Sequence, residues 1–405
     1  MEIMNVANDL GYGFVKADVD GQQVYMPSVI AAKQTYLAPN PAKAIDNYMD
    51  AFLTKMDATV NSVAVKRNGR YLIGEAATEG SSRKQSFNIY SGIGKSADDL
   101  SLILTLSMIA GVKVQRAYQA GEDIFEPLTA NVRMSTALPI AEGRDVRVLE
   151  QYESLFKDHK HTVTFNNFAD PITVTITFEE VAAFLEGEVA SVALVNAATG
   201  MEGFPELDNL RETVQADYQT NYPDRAKKYG VDEVLQAQNT LIIDAGEGTG
   251  DFVVATDGVA NPALTDSIPL GYGTALENTR QEARVRGIGD FESRYELKTY
   301  LSRKLSGANA EKQTMVKEIL NEQLQVVADG LVDEASDILT NVANDLDVIF
   351  VLGGSSIPLA EATTMREQLV GLVTSMNATS PVIWIDRQYA QVLNELGLKL
   401  ALTAM

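Results

Sequence analysis

One pattern occurs twice, about half a chain apart, and any fold for this sequence has to place it twice. The first copy is an apolar strand over Ile3–Ala7, then Asn8-Asp9-Leu10-Gly11-Tyr12-Gly13, then a strand over Phe14–Val19. An Asp20-Gly21 turn leads to a third strand, Gln22–Met26. The second copy runs from a strand over Asn239–Asp244 through Ala245-Gly246-Glu247-Gly248-Thr249-Gly250 to a strand over Asp251–Thr256, and Asp257-Gly258 again makes a turn. Both read as antiparallel meanders with one plan: apolar strand, Asp, glycine-rich turn, strand, Asp-Gly. A chain of 405 residues has room for two to four domain-sized units. The repeat predicts two domains built on one pattern.

The intervening segments fill in an α/β chain. Val63–Ile73 reads as a hairpin around Asn68-Gly69, Asp98–Gly111 as a helix, and Leu128–Thr136 and Ile172–Phe178 as strands. Glu179–Ala198 reads as a helix that starts where a strand ends. Thr199–Tyr229, richer in Gly, Pro, Asn and charge, reads as an inserted surface subdomain with short helices. Residues 31–60 read as a peripheral insertion with a helical pattern over Ala42–Met56. Late in the chain, Met315, Ile319, Leu324, Val327, Leu331, Ile338 and Val342 recur at helical spacing. They precede Val348–Leu352, a continuous apolar run suited to a strand covered on both faces. Gly353-Gly354-Ser355-Ser356 follows, with a helix expected from Leu359.

The two glycine turns carry the chemistry. Glycines let a backbone approach a phosphate and aim its N–H groups at the oxygens. A carboxylate at the strand end does not bind phosphate, but it holds Mg²⁺, directly or through water. In the first turn these roles fall to Gly11, Tyr12 and Gly13, with Asp9 at the strand end and Lys16 adding a positive charge beyond it. In the second they fall to Gly246, Gly248, the Thr249 hydroxyl and Asp244. Two such loops facing each other would clamp the β- and γ-phosphates; two unrelated hairpins are the plainer reading. Gly353-Gly354-Ser355 suits contact with a flat ring or ribose, and equally a tight strand-to-helix connection. Glu179, or Glu180 beside it, suits a water-orienting carboxylate in phosphate transfer, and equally a helix cap.

Composition removes other classes. The formal charge of −22 sets a broad face against phosphate backbones, so direct nucleic-acid binding is not expected, with Lys227-Lys228 one weak candidate for a local basic patch. With no cysteine there is no disulfide, thiolate metal site or cysteine nucleophile. His159 and His161 are the only histidines and read as exposed loop residues rather than metal ligands. Leu100–Val114 is the most apolar run; it is shorter than the roughly 18 residues of a spanning helix and reads as a core helix. The start of the sequence shows no secretory signal, so a cytoplasmic protein without a membrane partner is expected. No GxxxxGK[ST] loop is present, and no GxGxxG follows a first strand.

Together these motifs resemble the actin, heat-shock ATPase and sugar-kinase superfamily, and within it the ParM/StbA plasmid-segregation actins. The carrying residues are Asp9-Leu10-Gly11-Tyr12-Gly13-Phe14-Val15-Lys16, the stretch Val65–Ala76 with its Gly74-Glu75-Ala76, Asp244-x-Gly246-x-x-Thr249-x-Asp251, and Leu352-Gly353-Gly354-Ser355. The resemblance implies an actin-like ATPase fold: two similar domains, each a mixed sheet flanked by helices, with a nucleotide cleft between them. It divides the chain into domain I (1–178, with a small insertion about 31–75), domain II (179–385, with an insertion about 199–235) and a C-terminal connecting helix (386–405).

It further implies hydrolysis of ATP or GTP with Mg²⁺, coupled to assembly of the chain into filaments, and plasmid DNA moved through a DNA-binding adaptor protein. By resemblance Asp9 and Asp244 bracket the Mg²⁺ through water. Gly11, Tyr12, Gly13, Gly246, Glu247, Gly248 and Thr249 line the phosphates with Lys16 near them, and Gly353, Gly354 and Ser355 face the nucleoside. Glu179 positions the attacking water, with Glu180 the one-residue alternative. A small-molecule kinase of the same fold is the competing reading; it would need a catalytic base aimed at a substrate hydroxyl, and no sugar-kinase substrate motif is visible.

Overall fold

The computed structural model describes residues 2–33, 45–79, 83–88, 94–342, 345–376 and 378–405. The chain divides into two compact units. One comprises Met1–Leu138, Glu142–Leu185 and Glu395–Met405; the other comprises Pro139–Ala141 and Glu186–Asn394.

The first unit holds strands β1 (Ile3–Leu10), β2 (Phe14–Val19), β3 (Gln22–Pro27), β4 (Val29–Ala32), β5 (Asp57–Asn61), β6 (Gly69–Ile73), β7 (Lys84–Ser86), β8 (Leu128–Leu138), β9 (His161–Phe165) and β10 (Ile172–Leu185). Among the described residues they form one mixed sheet in the order β3-β2-β1-β8-β10-β9-β5-β6-β4-β7. β1, β8 and β10 are neighbours and parallel; β2 and β3 continue from β1 as the antiparallel meander the sequence predicts. Asp20 takes a left-handed conformation (φ 43°) at the β2–β3 turn, as Asp tolerates better than most residues.

The helix Asp99–Gln119 packs on this sheet. Asp98 caps it, its carboxylate accepting from Leu100 N at 3.0 Å. At 21 residues it is longer than the apolar run predicts, and long and apolar enough to cross a membrane; it is buried in the core, where Leu104, Leu106, Ile109 and Val112 are inaccessible. Within the segment 31–75, β5 and β6 are strands of the same sheet. Of the helical pattern over Ala42–Met56, residues 42–44 lie outside the described residues; Asp46–Met49 is helical and Phe52–Lys55 a 3₁₀ turn. The hairpin expected over Val63–Ile73 has its first strand earlier, at Asp57–Asn61; Asn68 folds back instead, accepting from Ser62 N at 2.7 Å.

The second unit holds β11 (Asn239–Ala245), β12 (Gly250–Thr256), β13 (Val259–Ala260), β14 (Asp266–Ile268), β15 (Val348–Leu352) and β16 (Val382–Trp384). Their order is β13-β12-β11-β15-β16, with β14 on β12, and β11, β15 and β16 are parallel. The plan of the first unit returns: a meander, then two parallel strands beside its first strand. Asp257 repeats Asp20, with φ 53°. The helix Ala308–Asn341 buries Ile319, Leu324, Val327, Leu331 and Ile338 of the predicted stripe in this unit's core, but Val316 is buried in place of Met315, which is exposed.

Three expectations change here. The segment after Thr199 is not made of short helices alone. Pro205–Asn221 is a 17-residue helix that buries Leu207, Leu210, Val214 and Tyr218. Its Asp217 carboxylate accepts from Trp384 N, and the Tyr222 hydroxyl accepts from Val382 N, which satisfies the outer edge of β16. And β10 does not end at Phe178. It passes through a bulge between Phe178 and Glu180 and continues to Leu185, so the helix begins at Glu188. His161 is also misjudged: it is buried on β9, bonded to Ser62 Oγ and the Phe156 carbonyl, and burial holds its pKa below the usual range.

Candidate functional site

In each unit the candidate residues gather at the carboxyl ends of the parallel strands, where open α/β sheets take their ligands. In the first unit Asp9 is the penultimate residue of β1. It is 3% exposed, and Lys16, its register partner on β2, donates to it at 2.8 Å. Between them the turn is closed by Gly11 N on the Phe14 carbonyl at 2.9 Å. Ser28 fastens it from behind: its N–H donates to the Gly13 carbonyl at 2.9 Å and its hydroxyl to the Gly11 carbonyl at 2.7 Å. The Tyr12 ring leaves the apex and meets Phe87 edge-on at 5.8 Å.

The helix Leu393–Leu402 adds charge to this end of the unit. Lys399 pairs with Asp18 at 3.2 Å. Glu395 is buried, and burial pushes its carboxyl up to about 7; the Gln23 hydrogen bond opposes this, Asp9 and Asp18 add to it, and Lys399 opposes it.

In the second unit Asp244 occupies the position of Asp9, but the register partner is another carboxylate, Asp251. Directly opposed like charges are unfavourable, and neutral donors separate them. Asn394 Nδ2 donates to Asp244 at 2.7 Å, and the Thr249 hydroxyl donates to Asp251 at 2.6 Å. Gly246 N closes this turn on the Thr249 carbonyl at 2.8 Å.

The Gly353-Gly354-Ser355 turn is stitched onto the same loop. Ser355 N donates to the Ala245 carbonyl at 2.8 Å, its hydroxyl donates to the Gly246 carbonyl, and Tyr272 N donates to that hydroxyl at 2.9 Å. Gly353 has φ +93°, and a Cβ there would lie 2.3 Å from Asp244 Oδ1. Only glycine lets this turn lie so close to the carboxylate. Glu247 turns its carboxylate to Arg294 at 3.6 Å and Lys298 at 3.9 Å rather than presenting it as a phosphate ligand.

The predicted residues therefore fall into two groups. Asp9, Gly11, Tyr12, Gly13 and Lys16 come together in the first unit; Asp244, Gly246, Glu247, Gly248, Thr249, Gly353, Gly354 and Ser355 come together in the second. Glu179 joins neither. It is exposed at the β10 bulge and accepts from Asn131 Nδ2 at 2.5 Å, while Glu180 faces Arg133 at 3.5 Å. Glu180 is level with Arg133 on β8 and, through it, with Asn5 on β1, four residues short of Asp9. That is about 13 Å back along the strands, with two strand spacings across. The first residue after β10 ends at Leu185 is another carboxylate, Glu186.

Sequence reasoning also missed Ser28, Arg294, Lys298, Asn394 and Glu395; all but Ser28 lie far along the chain from the motifs they serve. Asp251 stood in the motif without a role. Among the described residues no three acidic or histidine side chains cluster as a closed metal cage. One carboxylate at each strand end fits Mg²⁺ instead, which keeps its waters and leans on substrate phosphates.

Comparison with known proteins matches this architecture. Residues 7–188 match the family described as actin like proteins N terminal domain. No curated protein sequence matches the chain. Among solved structures, the actin-like protein Alp7A superposes with a TM-score of 0.69 at 17% identity, over 100% of this chain and 97% of that one. A non-polymerisable quadruple mutant of pCBH ParM gives 0.64 at 15% identity, over 100% of both chains. Bacillus thuringiensis ParM with ATP gives 0.57 at 15%, over 100% of this chain and 99% of that one. The chain has the actin-like fold, and its residues 7–188 match the actin-like N-terminal domain family.

Proposed function

We propose that the protein is a nucleotide hydrolase that binds Mg-ATP or Mg-GTP through both glycine hairpins and assembles into nucleotide-dependent filaments. The observation that carries this is the repeated hairpin: each unit presents a buried Asp and a glycine turn at the carboxyl end of its parallel strands. Solved neighbours of this fold include ParM with ATP, with ADP and with AMPPNP, and a ParM variant named non-polymerisable.

In this reading the Gly11–Gly13 and Gly246–Thr249 backbones donate to the phosphates, and the Gly353–Ser355 turn faces the nucleoside. Asp9 and Asp244 would hold the Mg²⁺. When bound, Mg²⁺ neutralises charge on the phosphates and fixes their orientation. Lys16 aims Asp9, and Asn394 aims Asp244. Glu186 takes the role of orienting the attacking water, its carboxylate accepting the water's hydrogen bond. We place Glu186 there rather than Glu179 because it lies at the strand's end. With a formal charge of −22, any link to plasmid DNA runs through an adaptor protein rather than direct contact. A cytoplasmic setting follows from this function.

The test is direct. Purified protein is mixed with Mg-ATP or Mg-GTP, phosphate release and light scattering are followed, and the product is inspected by electron microscopy. Filaments that need nucleotide are expected; phosphate transfer to a small-molecule hydroxyl without assembly would favour the kinase. Glu186→Gln should slow hydrolysis about 100-fold while nucleotide binding persists, and Glu179→Gln should leave the rate unchanged. The reverse pattern would return the role to Glu179.

A further inference from the structure

The first hairpin has a neighbour that its own motif does not announce. Lys95 is 1% exposed. Lysine is almost never that buried without a specific partner, because its ammonium loses its hydration. Its Nζ stands 4.5 Å from the centroid of the Tyr12 ring, at the apex of the Gly11–Gly13 turn. A cation over an aromatic face gains most where water is excluded.

The backbone around Lys95 is held unusually firmly. The two carboxylate oxygens of Glu142 accept from Lys95 N and Ser96 N, each at 2.8 Å. The Ser101 hydroxyl donates to the Lys95 carbonyl at 2.6 Å. Directly after this segment the helix Asp99–Gln119 begins, capped by Asp98. Glu142 itself comes from the short helix that follows β8, the strand next to β1. The ammonium is thus presented to Tyr12 from a fixed base, and Phe87 meets the same ring edge-on. A methionine would fill the same space at no desolvation cost, so packing alone does not account for a lysine here.

We propose that Lys95 is a positioning residue for the first glycine turn: its buried ammonium pins the Tyr12 ring and so fixes the Gly11–Gly13 backbone donors for a nucleotide's phosphates. The part that concerns phosphates rests on the nucleotide-binding reading above; the clamp on Tyr12 does not. A fixed cation behind these donors also adds positive potential where a polyanion arrives.

The test uses the full chain as wild type, Lys95→Met, Lys95→Arg and Glu142→Gln. Amide hydrogen exchange is read on the peptide spanning residues 10–14, with the 244–251 peptide as internal control. Lys95→Met should speed exchange in the first peptide by about tenfold and leave the second unchanged. Lys95→Arg, which keeps a cation over the ring, should restore it. Glu142→Gln, which loosens the base, should fall between. Binding of a fluorescent ATP analogue with Mg²⁺ should weaken about tenfold in Lys95→Met and recover in Lys95→Arg.

Wild-type exchange at residues 10–14 in Lys95→Met, or no recovery in Lys95→Arg, overturns the clamp. Should Lys95→Met not fold, Lys95→Arg and Glu142→Gln decide by the same exchange readout. A wild type that binds neither Mg-ATP nor Mg-GTP overturns the nucleotide reading instead, while the exchange result still judges the clamp.

Discussion

The two hairpins share a plan and differ in what opposes the aspartate. On β1–β2 the register sets Asp9 against Lys16; on β11–β12 it sets Asp244 against Asp251. The first carboxylate is held by charge: Lys16 bonds it, and Glu395, Asp18 and Lys399 stand close by. The second is held by neutral donors and close packing, with Asn394 and Thr249 dividing the two acids and Gly353 laid against Asp244. A repeated backbone motif therefore does not imply a repeated electrostatic solution. The first hairpin should respond to changes in charge and pH, the second to changes in shape.

The sharpest way to break that contrast is Gly353→Ala. The new Cβ would meet Asp244 Oδ1 at 2.3 Å and the Ala245 carbonyl oxygen at 2.4 Å, at a φ of +93°. A left-handed non-glycine residue and an overpacked contact together should cost about 4 kcal/mol, read as a lower urea midpoint. Lys16→Met attacks the first hairpin and leaves Asp9 buried beside a methyl group. A loss of about 3 kcal/mol is expected. A loss no larger than that of a surface substitution would mean that Asp9, too, is held by neutral donors, and the contrast would fail.

How far these devices could be read beforehand follows from their range. The paired hairpins, their Asp-Gly turns and the Val348–Leu352 strand were legible because the signals are local: alternation, turn residues, an apolar run bounded by glycines. The length of β10 was not. Val181-Ala182-Ala183-Phe184-Leu185 suits a helix as well as a strand, and pairing with β8 along its whole length decides it. The longer strand is why our proposal puts the water-orienting carboxylate at Glu186, seven positions beyond Glu179. Lys16 and Thr249 were legible within their motifs. Asn394 lies 150 residues from Asp244, and no spacing rule links them.

Glu395 sharpens the charge side of the comparison through pH. Its carboxyl titrates at about 7 in the folded protein, raised first by burial, and near 4.3 when unfolded. Between those values the folded state keeps a proton that the unfolded state has lost. Stability therefore falls as pH rises from about 4.5 to about 7 and is flat above that as far as this group is concerned. The span should be roughly 3 to 4 kcal/mol. Glu395→Gln removes the ionisation, so the variant should match wild type near pH 5 and exceed it near pH 8. Parallel urea midpoints for the two proteins across that range would contradict this.

The smallest effect tests the neutral side. Asn394 donates to Asp244 at 2.7 Å while its side-chain oxygen accepts from Gly187 N at 3.3 Å, so one amide serves both a carboxylate and the start of the helix Glu188–Thr199. Asn394→Ala should cost about 2 kcal/mol, the worth of a hydrogen bond to a charged group net of water. Because the lost donor is uncharged but its acceptor faces Asp251 across the ladder, the variant should gain slightly more stability from added salt than wild type does, a small gain because both acids are buried and only weakly screened. Lys16→Met should show no such gain, since it leaves one buried carboxylate rather than two opposed ones. Equal salt responses from the two variants would show that the hairpins are braced alike despite their different partners.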